Sequence, residues 1–593
     1  MRRIFVILAA IFGVYGLIIF GVLEKHEDHP RFLAKFPMPA HPDTSSSAPG
    51  ISGGRLIIGA LGDPKTLNPV VASESSSRDI YSRVFSGLTG YNNITQEILP
   101  GLAKSWEFSD DKLTLTFHMR EGLLWSDGVP LTAYDAEFTY KCIYDPRVEN
   151  SLADIMRVNG EPFKGVAVDS LTFVVTIPST FAPFLEWAGA AVPVLPKHML
   201  EPELEAGKFD SAYNVSWPLD QIVGSGPYLI EKYESGVKTV LRRNPNYWRI
   251  DSDGNTLPYL ERIIHLTVRS SETEMLMFQT GDLDMMTVSK LADVPILEAD
   301  AEKNDFTLKN LGISMGQNMF WFNLHTGSRE DGTPYVAKHK QKWFHDVRFR
   351  KAMSHVVDKQ GIADTVFGGL AEPLHGPETR ANKFWFNPDT VKYDYNFETA
   401  GAYLDDMGLI DRDGDGVRED ADGNPVEFTM VTNTGNDQRE LIGNLLKEDL
   451  SRVGVKMSFN PIEFNTLIVK ITNEFDYECS LLGLTSGDPD PSSGMSSWLS
   501  SGHMHMWHPR QEKPATEWEA RIDEIMNLQM TTLDRDKRKE YYDEVQYIMS
   551  DMCPYIYLVS PQVIVAYRNK FENMLPSILR HRLLWNVEEV WTE

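Results

Sequence analysis

The segment Val223-Gly-Ser-Gly-Pro-Tyr-Leu-Ile230 is the most informative part of this sequence. Gly224 and Gly226 allow backbone conformations that are closed to other residues, and Pro227 fixes its own φ angle. The segment therefore predicts a rigid turn that leads into a β-strand. A second unusual segment, Arg242-Arg-Asn-Pro-Asn-Tyr-Trp248, follows it closely.

Further unusual patterns occur in a fixed order on both sides of this turn. Those upstream are Leu99-Pro-Gly-Leu-Ala-Lys-Ser-Trp-Glu107, Phe117-His-Met-Arg-Glu-Gly122 and Trp125-Ser-Asp-Gly-Val-Pro-Leu-Thr-Ala133. Those downstream are Phe344-His-Asp-Val-Arg-Phe-Arg-Lys-Ala-Met353 and residues 538–560 with the core Pro554-Tyr-Ile-Tyr-Leu558. One such motif alone is weak evidence, but the ordered set is specific. From about Arg55 to its end, the chain resembles the family 5 extracytoplasmic solute-binding proteins of ABC importers, which include oligopeptide- and dipeptide-binding proteins.

The resemblance implies an α/β architecture of the periplasmic-binding-protein type. Two lobes enclose a cleft and are joined by a hinge, and the first lobe is discontinuous and carries an inserted subdomain. Carried onto this chain, lobe I comprises residues 55–90, 216–315 and 551–593, the inserted subdomain residues 91–215, and lobe II residues 316–550. The hinge crossings are then expected around Gly312 to Asn323 and around Tyr555 to Ser560.

Hydrophobic periodicity independently predicts a mixture of strands and helices. Leu113, Leu115, Phe117 and Met119 alternate with polar residues, as expected for a half-buried strand. The region from Val426 to Phe459 predicts a strand, a helix and a second strand, with Gly454 at the C-terminal cap of the helix. The apolar face expected for this helix is Leu441, Ile442, Leu445, Leu446, Leu450 and Val453. A late helix is expected to end before Pro554 and to bury Tyr541, Val545, Ile548, Met549 and Met552.

Composition limits the partners of the protein. The 593-residue chain has a formal net charge of −27, 42% hydrophobic residues and 24% charged residues. At this length two or three domains are expected. The excess of carboxylates argues against nucleic acid as a partner, because the protein and the nucleic acid would both be negatively charged and repel each other. Three widely spaced cysteines, Cys142, Cys479 and Cys553, predict buried free thiols.

The N-terminus predicts attachment to a membrane. Arg2 and Arg3 precede an apolar run from Ile4 to Leu23 that is long enough to span a bilayer. Because a small-x-small cleavage site is missing after this run, residues 1–23 are interpreted as an uncleaved anchor, with a cleaved signal as the alternative. Residues 24–54 are polar and rich in Pro, Ser, His and Gly, which predicts a disordered linker. The protein is then tethered on the periplasmic or extracellular face of the cytoplasmic membrane.

The segment Gly483-Leu-Thr-Ser-Gly-Asp-Pro-Asp-Pro491 is the first candidate for a ligand site. In peptide-binding members of the family, an aspartate in this region pairs with the free amine of the ligand. Asp488 and Asp490 both match that position, in a segment shorter than the family pattern. A carboxylate suits the role because a buried ammonium needs a charged hydrogen-bond partner. The alternative is a loop in which the Asp-Pro pairs only initiate turns.

Aromatic residues of the presumed second lobe form the second candidate. Trp498, Trp321 and Trp385 offer broad apolar faces for a peptide side chain or a sugar ring, and Asn323 beside the hinge offers a hydrogen bond. Core packing is the alternative fate of each tryptophan.

Two segments resemble metal sites. Asp411, Asp413 and Asp415, with Gly416 at the turn, have the spacing of a calcium loop, but Asp422 stands where a glutamate is expected. An acidic turn is the alternative. His503-Met-His-Met-Trp-His508 has alternating histidines, as copper or nickel sites do, but equally fits a packed loop. No cofactor is predicted.

The expected function is therefore binding rather than catalysis. Nucleophile elbows, phosphate-binding glycine loops and zinc-protease motifs are absent from the sequence. The prediction is a monomeric extracytoplasmic receptor that closes its lobes on an oligopeptide and passes it to an ABC permease. The alternatives are an oligosaccharide receptor of the same family and, from another class, an extracellular glycan hydrolase.

Overall fold

The structure is a computed structural model that describes residues 35–158, 160–485, 488–579 and 581–593. Within these ranges the strands, in chain order, are β1 (Asp43–Thr44), β2 (Arg55–Ala60), β3 (Thr89–Tyr91), β4 (Ile98–Pro100), β5 (Ala103–Phe108), β6 (Thr114–Met119), β7 (Arg157–Val158), β8 (Glu161–Pro162), β9 (Lys164–Ala167), β10 (Thr172–Thr176), β11 (Tyr228–Glu234), β12 (Lys238–Arg243), β13 (Arg249–Ile250), β14 (Arg262–Thr267), β15 (Met285–Thr287), β16 (Phe306–Ile313), β17 (Gly316–Phe322), β18 (Ala371–Pro373), β19 (Glu427–Asn433), β20 (Lys456–Ile462), β21 (Cys479–Thr485), β22 (Ile556–Tyr557), β23 (Val559–Arg568), β24 (Phe571–Glu572) and β25 (Trp591–Thr592).

The α-helices are α1 (Ser75–Val84), α2 (Ala133–Ile143), α3 (Leu152–Ile155), α4 (Lys197–Glu205), α5 (Ser271–Thr280), α6 (Val294–Asp300), α7 (Lys338–His345), α8 (Val347–His355), α9 (Lys359–Phe367), α10 (Phe397–Asp406), α11 (Asp437–Arg452), α12 (Phe464–Val469), α13 (Met495–Trp498), α14 (Glu517–Thr531) and α15 (Arg535–Met552). Short 3₁₀ or π turns lie at Glu186–Ala190, Phe209–Ser211, Leu219–Gln221, Leu291–Asp293, Lys470–Glu474, Pro491–Gly494 and Val587–Glu589.

The largest sheet belongs to lobe I and has the strand order β11-β12-β14-β2-β15-β23-β16, with β18 paired to β23. β2 lies parallel to both β14 and β15. Its strands come from four separate parts of the chain, which are β2, the run from β11 to β16 without β13, β18 and β23. Of these, β18 lies inside residues 316–550, the range expected for lobe II.

A smaller antiparallel sheet, β5-β6-β10-β9, lies in the inserted subdomain. Phe117 of β6 pairs with Phe173 of β10. Leu115, Phe117 and Met119 are buried and the residues between them are partly exposed, which confirms the predicted alternation.

The third sheet, β20-β19-β21-β17-β22, forms lobe II. β19 and β20 are parallel and α11 connects them, so the predicted strand–helix–strand unit is confirmed. Gly454 has a φ of +75°, as its place at the end of the helix requires. The predicted helix face was wrong at Leu441, which is 50% exposed, while Ile442, Leu446 and Leu450 are buried.

The chain passes between the lobe I and lobe II sheets at two adjacent places. β16 leads into β17 through Ser314, and β22 leads into β23 through Leu558, so both crossings fall within the ranges expected for the hinge. Ser560 Oγ donates to the carbonyl oxygens of Ser314 at 3.1 Å and Gly316 at 2.8 Å. A single buried hydroxyl thus ties the two crossings together.

The Gly224–Pro227 turn is tight for a different reason from the one predicted. Neither Gly224 nor Gly226 has a positive φ. A Cβ atom at Gly224 would lie 2.4 Å from the Val84 carbonyl oxygen, and one at Gly226 would lie 2.4 Å from that of Arg83. Glycine is needed because the turn lies directly against the end of α1.

Residues 35–54 make specific contacts, in contrast to the predicted disordered linker over 24–54. Asp43 and Thr44 of β1 pair with Arg249 and Ile250 of β13. The Asp43 carboxylate binds Arg249 Nε at 2.9 Å and Arg120 Nη2 at 3.1 Å. The polar composition of this segment therefore reflects ion pairs with Arg120 and Arg249 rather than solvation alone.

The predicted membrane anchor, residues 1–23, lies outside the described residues. Among the residues that the structure describes, every helix is too short or too polar to cross a membrane. Cys142, Cys479 and Cys553 are buried free thiols, as predicted.

Candidate functional site

The inserted subdomain and lobe II touch beside the loop that carries Asp488 and Asp490. Asp154 Oδ2 accepts hydrogen bonds from Ser496 Oγ at 3.1 Å and from the His503 N–H at 3.3 Å. The Ala182 N–H donates to the Met530 carbonyl oxygen at 2.9 Å. These contacts join the inserted subdomain to lobe II on one side of the Asp488 loop. The loop therefore lies beside the space between the lobes.

Asp488 is a largely buried carboxyl group at this interface. Its Oδ1 accepts a hydrogen bond from the Asp490 N–H at 2.8 Å. Burial raises the pKa of Asp488 to about 7, because the charged carboxylate loses hydration, and the charge of Asp490 adds to the effect. Burial is the main cause that raises the pKa of Tyr91 to about 12, and the negative charges of Asp488 and Asp490 add to the effect. Tyr91 belongs to β3, so Asp488 lies close to a side chain from outside lobe II.

Asp490 is engaged within lobe II. Its Oδ1 binds Arg538 Nη2 at 2.7 Å and accepts the Ser492 N–H at 3.0 Å, which caps the turn Pro491–Gly494. Arg538 also donates through Nε to the Gln529 carbonyl oxygen at 3.1 Å. The charge of Asp490 is therefore balanced by the protein itself.

Trp385 and Trp498 meet around Tyr542. Their ring centroids lie 6.0 and 5.9 Å from that of Tyr542, both in edge-on arrangements. Arg538 lies 5.1 Å from the centre of the Trp385 ring, and Trp498 Nε1 donates to the Pro491 carbonyl oxygen at 3.2 Å. The structure thus brings Trp385, Trp498 and Asp490 into one cluster, and Trp498 contacts the Asp488 loop through the Pro491 carbonyl oxygen.

Glu378 is a second acid of this cluster that sequence reasoning missed. Its carboxylate accepts hydrogen bonds from Tyr542 Oη at 2.8 Å and from Asn382 Nδ2 at 3.0 Å. Burial raises the pKa of Glu378 to about 7, even though both hydrogen bonds act in the opposite direction. Asn382 Nδ2 also donates to the Pro489 carbonyl oxygen at 2.9 Å, which links Glu378 to the Asp488 loop.

Glu378 also lines a cavity of about 460 Å³ near the hinge. The walls of this cavity include Ile313 and Ser560 from the crossings together with His375 and Thr379. The local sequence Gly376-Pro-Glu-Thr379 did not indicate a role for Glu378. Its partner Tyr542 is distant in the chain, and its partner Asn382 lies on a loop that was not predicted.

Trp321 and Asn323 lie apart from this cluster, in the core of lobe II. Trp321 is fully buried and its Nε1 donates to Tyr477 Oη at 3.1 Å. Asn323 Nδ2 donates to the carbonyl oxygens of Phe475 at 2.8 Å and Tyr477 at 2.9 Å. These positions favour a packing role, and contact with the ligand stays a prediction for both residues.

The acidic turn predicted as a calcium candidate brings its carboxylates together. Oxygen atoms of Asp411, Asp413, Asp415 and Glu419 lie within 4.8 Å of one another. Asp411 Oδ1 accepts the Gly414 N–H at 2.7 Å, and Asp415 Oδ1 accepts the Val417 N–H at 2.8 Å. Oxygen ligands in this number suit a hard cation, and backbone N–H groups already stabilise the same turn.

Two lobes joined at paired crossings, with buried carboxyl groups at their interface, define a binding protein that closes on a solute. The sequence matches the family model "Bacterial extracellular solute-binding proteins, family 5 Middle" over residues 97–506. The chain therefore belongs to this family of extracellular solute-binding proteins.

Similar proteins span nearly the whole chain. A Deinococcus radiodurans protein named "Probable ABC transporter-binding protein" is 28% identical over 558 residues, which cover 91% of this chain and 92% of that protein. The structure is similar to that of the oligopeptide-binding protein AppA from Bacillus subtilis in complex with a nonapeptide, with a TM-score of 0.77, 23% identity, and 92% and 99% of the two chains covered. It is also similar to MelB from Agrobacterium fabrum in complex with stachyose, with a TM-score of 0.81, 21% identity, and 92% and 85% covered.

Proposed function

We propose that this protein captures oligopeptides outside the cytoplasm by lobe closure and delivers them to an ABC permease, without altering them chemically. The protein acts as a monomer and is tethered to the membrane by residues 1–23. Relatives named for oligopeptide binding support the peptide assignment, and a relative crystallised with stachyose supplies the alternative of an oligosaccharide.

The observation that carries the peptide assignment is the position of Asp488. Its carboxyl group lies at the lobe interface near Tyr91, and burial raises its pKa to about 7. A ligand cation stabilises the ionised form of such a buried carboxyl group, because an ammonium group offsets the cost of burying the negative charge. The free amine of a peptide supplies such a cation, whereas a neutral sugar does not.

Thermal shift measurements on the full chain test this proposal. Peptides of two to nine residues and a panel of neutral oligosaccharides are compared, because a bound ligand raises the melting temperature by mass action. We expect peptides with a free amine to stabilise the protein and N-acetylated versions to have little effect. Stabilisation by sugars alone would contradict the peptide assignment.

Substitution of Asp488 tests the role of the carboxylate. Asp488→Asn is expected to weaken peptide binding by about ten- to hundred-fold, the value of one charge-assisted hydrogen bond. The matched control is Asp253→Asn, which changes an exposed carboxylate of a lobe I turn. Equal affinities for the Asp488 variant and the parent protein would remove Asp488 from the site.

Two further measurements address the remaining parts of the proposal. Mass spectrometry of peptides recovered after prolonged incubation is expected to show them unchanged, and cleaved products would indicate an enzyme. Mass spectrometry of the mature N-terminus is expected to find residues 1–23 still present, and their loss would indicate a cleaved signal.

A further inference from the structure

The cavity of about 460 Å³ near the hinge lies against both crossings of the chain between the lobes. Ile313 lines it beside the first crossing and Ser560 beside the second, and its lining residues do not include Asp488 or Tyr91. The volume falls within the range of about 300–1,000 Å³ that is typical of small-molecule sites. The cavity is therefore a candidate for a ligand site that is separate from the interface assigned to the solute.

Lys359 is a buried cation whose charge is not balanced within the described part of the chain. It is the first residue of α9, where the partial positive charge of the helix N-terminus disfavours a further positive charge. Its Nζ donates to the Leu374 carbonyl oxygen at 2.9 Å. Within the described residues, the one acidic group that acts on it is the Cys553 thiol, and burial raises the pKa of that thiol. A neutral thiol offsets no charge, and burial lowers the pKa of Lys359 to about 8.

His375 joins this cation to the cavity that it lines. Its Nδ1 lies 3.5 Å from Lys359 Nζ. Because an ammonium group can only donate, Nδ1 accepts and the neutral ring carries its proton on Nε2. No group among the described residues accepts this Nε2–H. Burial is the main cause that lowers the pKa of His375 to about 4, and the charges of Lys359 and Lys392 add to the effect. These three residues form a basic cluster at the cavity.

The two acidic side chains of the cavity wall are engaged elsewhere. Glu372 Oε2 lies 3.7 Å from Arg380 Nε, and Glu378 accepts a hydrogen bond from Tyr542 Oη at 2.8 Å. Neither carboxyl group acts on the buried lysine or on the histidine of the basic cluster. An anion from solution can therefore pair with the cluster, and it offsets the cost of burying the positive charge.

The wall of the cavity is also bonded to the hinge. Thr379 Oγ1 donates to the Ser314 carbonyl oxygen at 2.7 Å, and the Leu374 N–H donates to the Leu558 carbonyl oxygen at 2.9 Å. Ser314 and Leu558 are the residues through which the chain passes from one sheet to the other. A ligand that holds this wall in place therefore acts on the residues about which the lobes turn.

We propose that the hinge cavity binds a small organic carboxylate, whose oxygen atoms accept the His375 Nε2–H beside the Lys359 ammonium group. The apolar wall residues Ile313, Leu374 and Phe386 suit a short hydrocarbon chain, which favours an organic acid over inorganic phosphate. This site does not depend on which solute the cleft between the lobes binds.

Occupation of the site favours the closed form of the protein. The two lobes touch in this structure, where Gln438 Nε2 donates to the Ser289 carbonyl oxygen. The cavity described here is thus the cavity of the closed form. A ligand that binds this form better than the open form shifts the population toward it.

Calorimetric titration of the full chain without peptide tests the site. The probes are butyrate, butyramide, which has the same shape without the charge, and inorganic phosphate, which has the charge without the hydrocarbon chain. We expect butyrate to bind at least about ten-fold more tightly than either control, because a charge-assisted hydrogen bond and apolar contacts act together. Equal affinities for butyrate and butyramide would overturn the proposal, and tighter binding of phosphate would overturn the assignment to an organic acid.

Substitutions test the basic cluster. His375→Phe removes the donor and Lys359→Met removes the buried charge, and each is expected to weaken butyrate binding at least about ten-fold. The matched control is Lys383→Met, which removes an exposed lysine of the loop between β18 and α10 and leaves the affinity for butyrate unchanged. Parent-like affinity in both cluster variants would overturn the proposal. Should Lys359→Met fail to fold, His375→Phe decides the question.

Scattering and competition test the coupling to closure. Saturating butyrate at a fixed pH of 7 is expected to decrease the radius of gyration of the parent protein and to leave that of His375→Phe unchanged. By reciprocity, a peptide that closes the lobes leaves butyrate affinity equal or raises it. Butyrate binding without a change in radius would overturn the coupling. Displacement of butyrate by excess tri-alanine would show one shared site and overturn the proposal, while peptide capture stands.

Discussion

Glu519 is a buried carboxylate surrounded by hydrogen-bond donors. It accepts from Thr516 Oγ1 at 2.7 Å, Gln511 Nε2 at 2.9 Å, Trp507 Nε1 at 3.0 Å and His505 Nε2 at 3.2 Å. Burial alone would raise its pKa, but these hydrogen bonds lower the pKa of Glu519 to about 2. The alternating histidines that suggested a metal site thus include one, His505, that is held by a core carboxylate.

Replacement of Glu519 is expected to destabilise the protein in a pH-dependent way. Glu519→Ala removes a buried acceptor and leaves several donors unsatisfied, which lowers the free energy of unfolding by about 3 kcal/mol. Because the folded-state pKa lies below the unfolded value, this contribution is present above about pH 4.5 and is lost as the pH falls toward 2. Calorimetry from pH 7 to pH 3 measures the gap between parent and variant.

The control for this prediction lies two residues away. Glu517 is exposed in the first turn of α14, so Glu517→Ala is expected to change the free energy of unfolding by no more than about 0.5 kcal/mol. A gap between the parent protein and Glu519→Ala that stays constant with pH would contradict the assigned role of the carboxylate.

At the level of elements, the Gly224–Pro227 turn fixes how α1 packs against the start of β11. The Gly226 N–H donates to the Val84 carbonyl oxygen at 2.8 Å. Gly226→Ala places a Cβ atom 2.4 Å from the Arg83 carbonyl oxygen, and backbone must move to relieve it. We expect the free energy of unfolding to fall by about 1–3 kcal/mol. Gly62→Ala, whose Cβ meets nothing within 4 Å, is the matched control in the same thermal unfolding measurement.

The sequence predicted elements better than it predicted which face of each element is buried. The end of α15 before Pro554 and the alternation in β6 follow from local chemistry, and both are confirmed. On α15, Val545 and Met549 are buried as predicted, but Tyr542 is buried where Tyr541 was expected. A tyrosine can be buried or exposed according to the partner its hydroxyl finds, and that partner, Glu378, is remote in sequence.

The candidate site was harder to predict than the fold for the same reason. The Asp488 loop was found from a family pattern, whereas Glu378 gains its significance only from neighbours that the fold brings near. The sequence alone does not distinguish Trp321 from Trp385 and Trp498. The structure places Trp321 in the core of lobe II, apart from the other two. Spacing along the chain carries no information about contacts between lobes.

On the scale of the whole molecule, the two lobes meet at a pair of carboxyl groups. Glu272 lies in the first turn of α5 in lobe I, and Asp437 begins α11 in lobe II. Asp437 Oδ2 is buried and finds no N–H or O–H donor among the described residues. Its hydrogen bond with Glu272 therefore requires a shared proton. This hydrogen bond is the main cause that raises the pKa of Asp437 to about 6, and burial of the carboxyl group is the second cause.

This pair predicts that closure of the lobes depends on pH. The charged groups that face it are Lys290, whose Nζ lies 3.7 Å from Glu272, and Glu440. Because the pKa of Asp437 is raised when the lobes touch, the closed form takes up a proton. Closure is therefore favoured most below about pH 4, the ordinary range of an aspartate, and this contribution is lost as the pH rises through about 6. Small-angle X-ray scattering of the ligand-free protein is expected to show a radius of gyration that decreases between pH 8 and pH 5.

Ligand-free protein is needed for this measurement because Asp488 has the opposite effect on peptide binding. Its protonation below about pH 7 removes the charge that a peptide amine requires, so peptide affinity falls with acid even as closure improves. Asp437→Asn and Glu272→Gln are expected to abolish the change in radius, whereas Asp413→Asn in the exposed turn of lobe II leaves it intact. A pH-dependent radius that persists in both interface variants would show that another group controls closure.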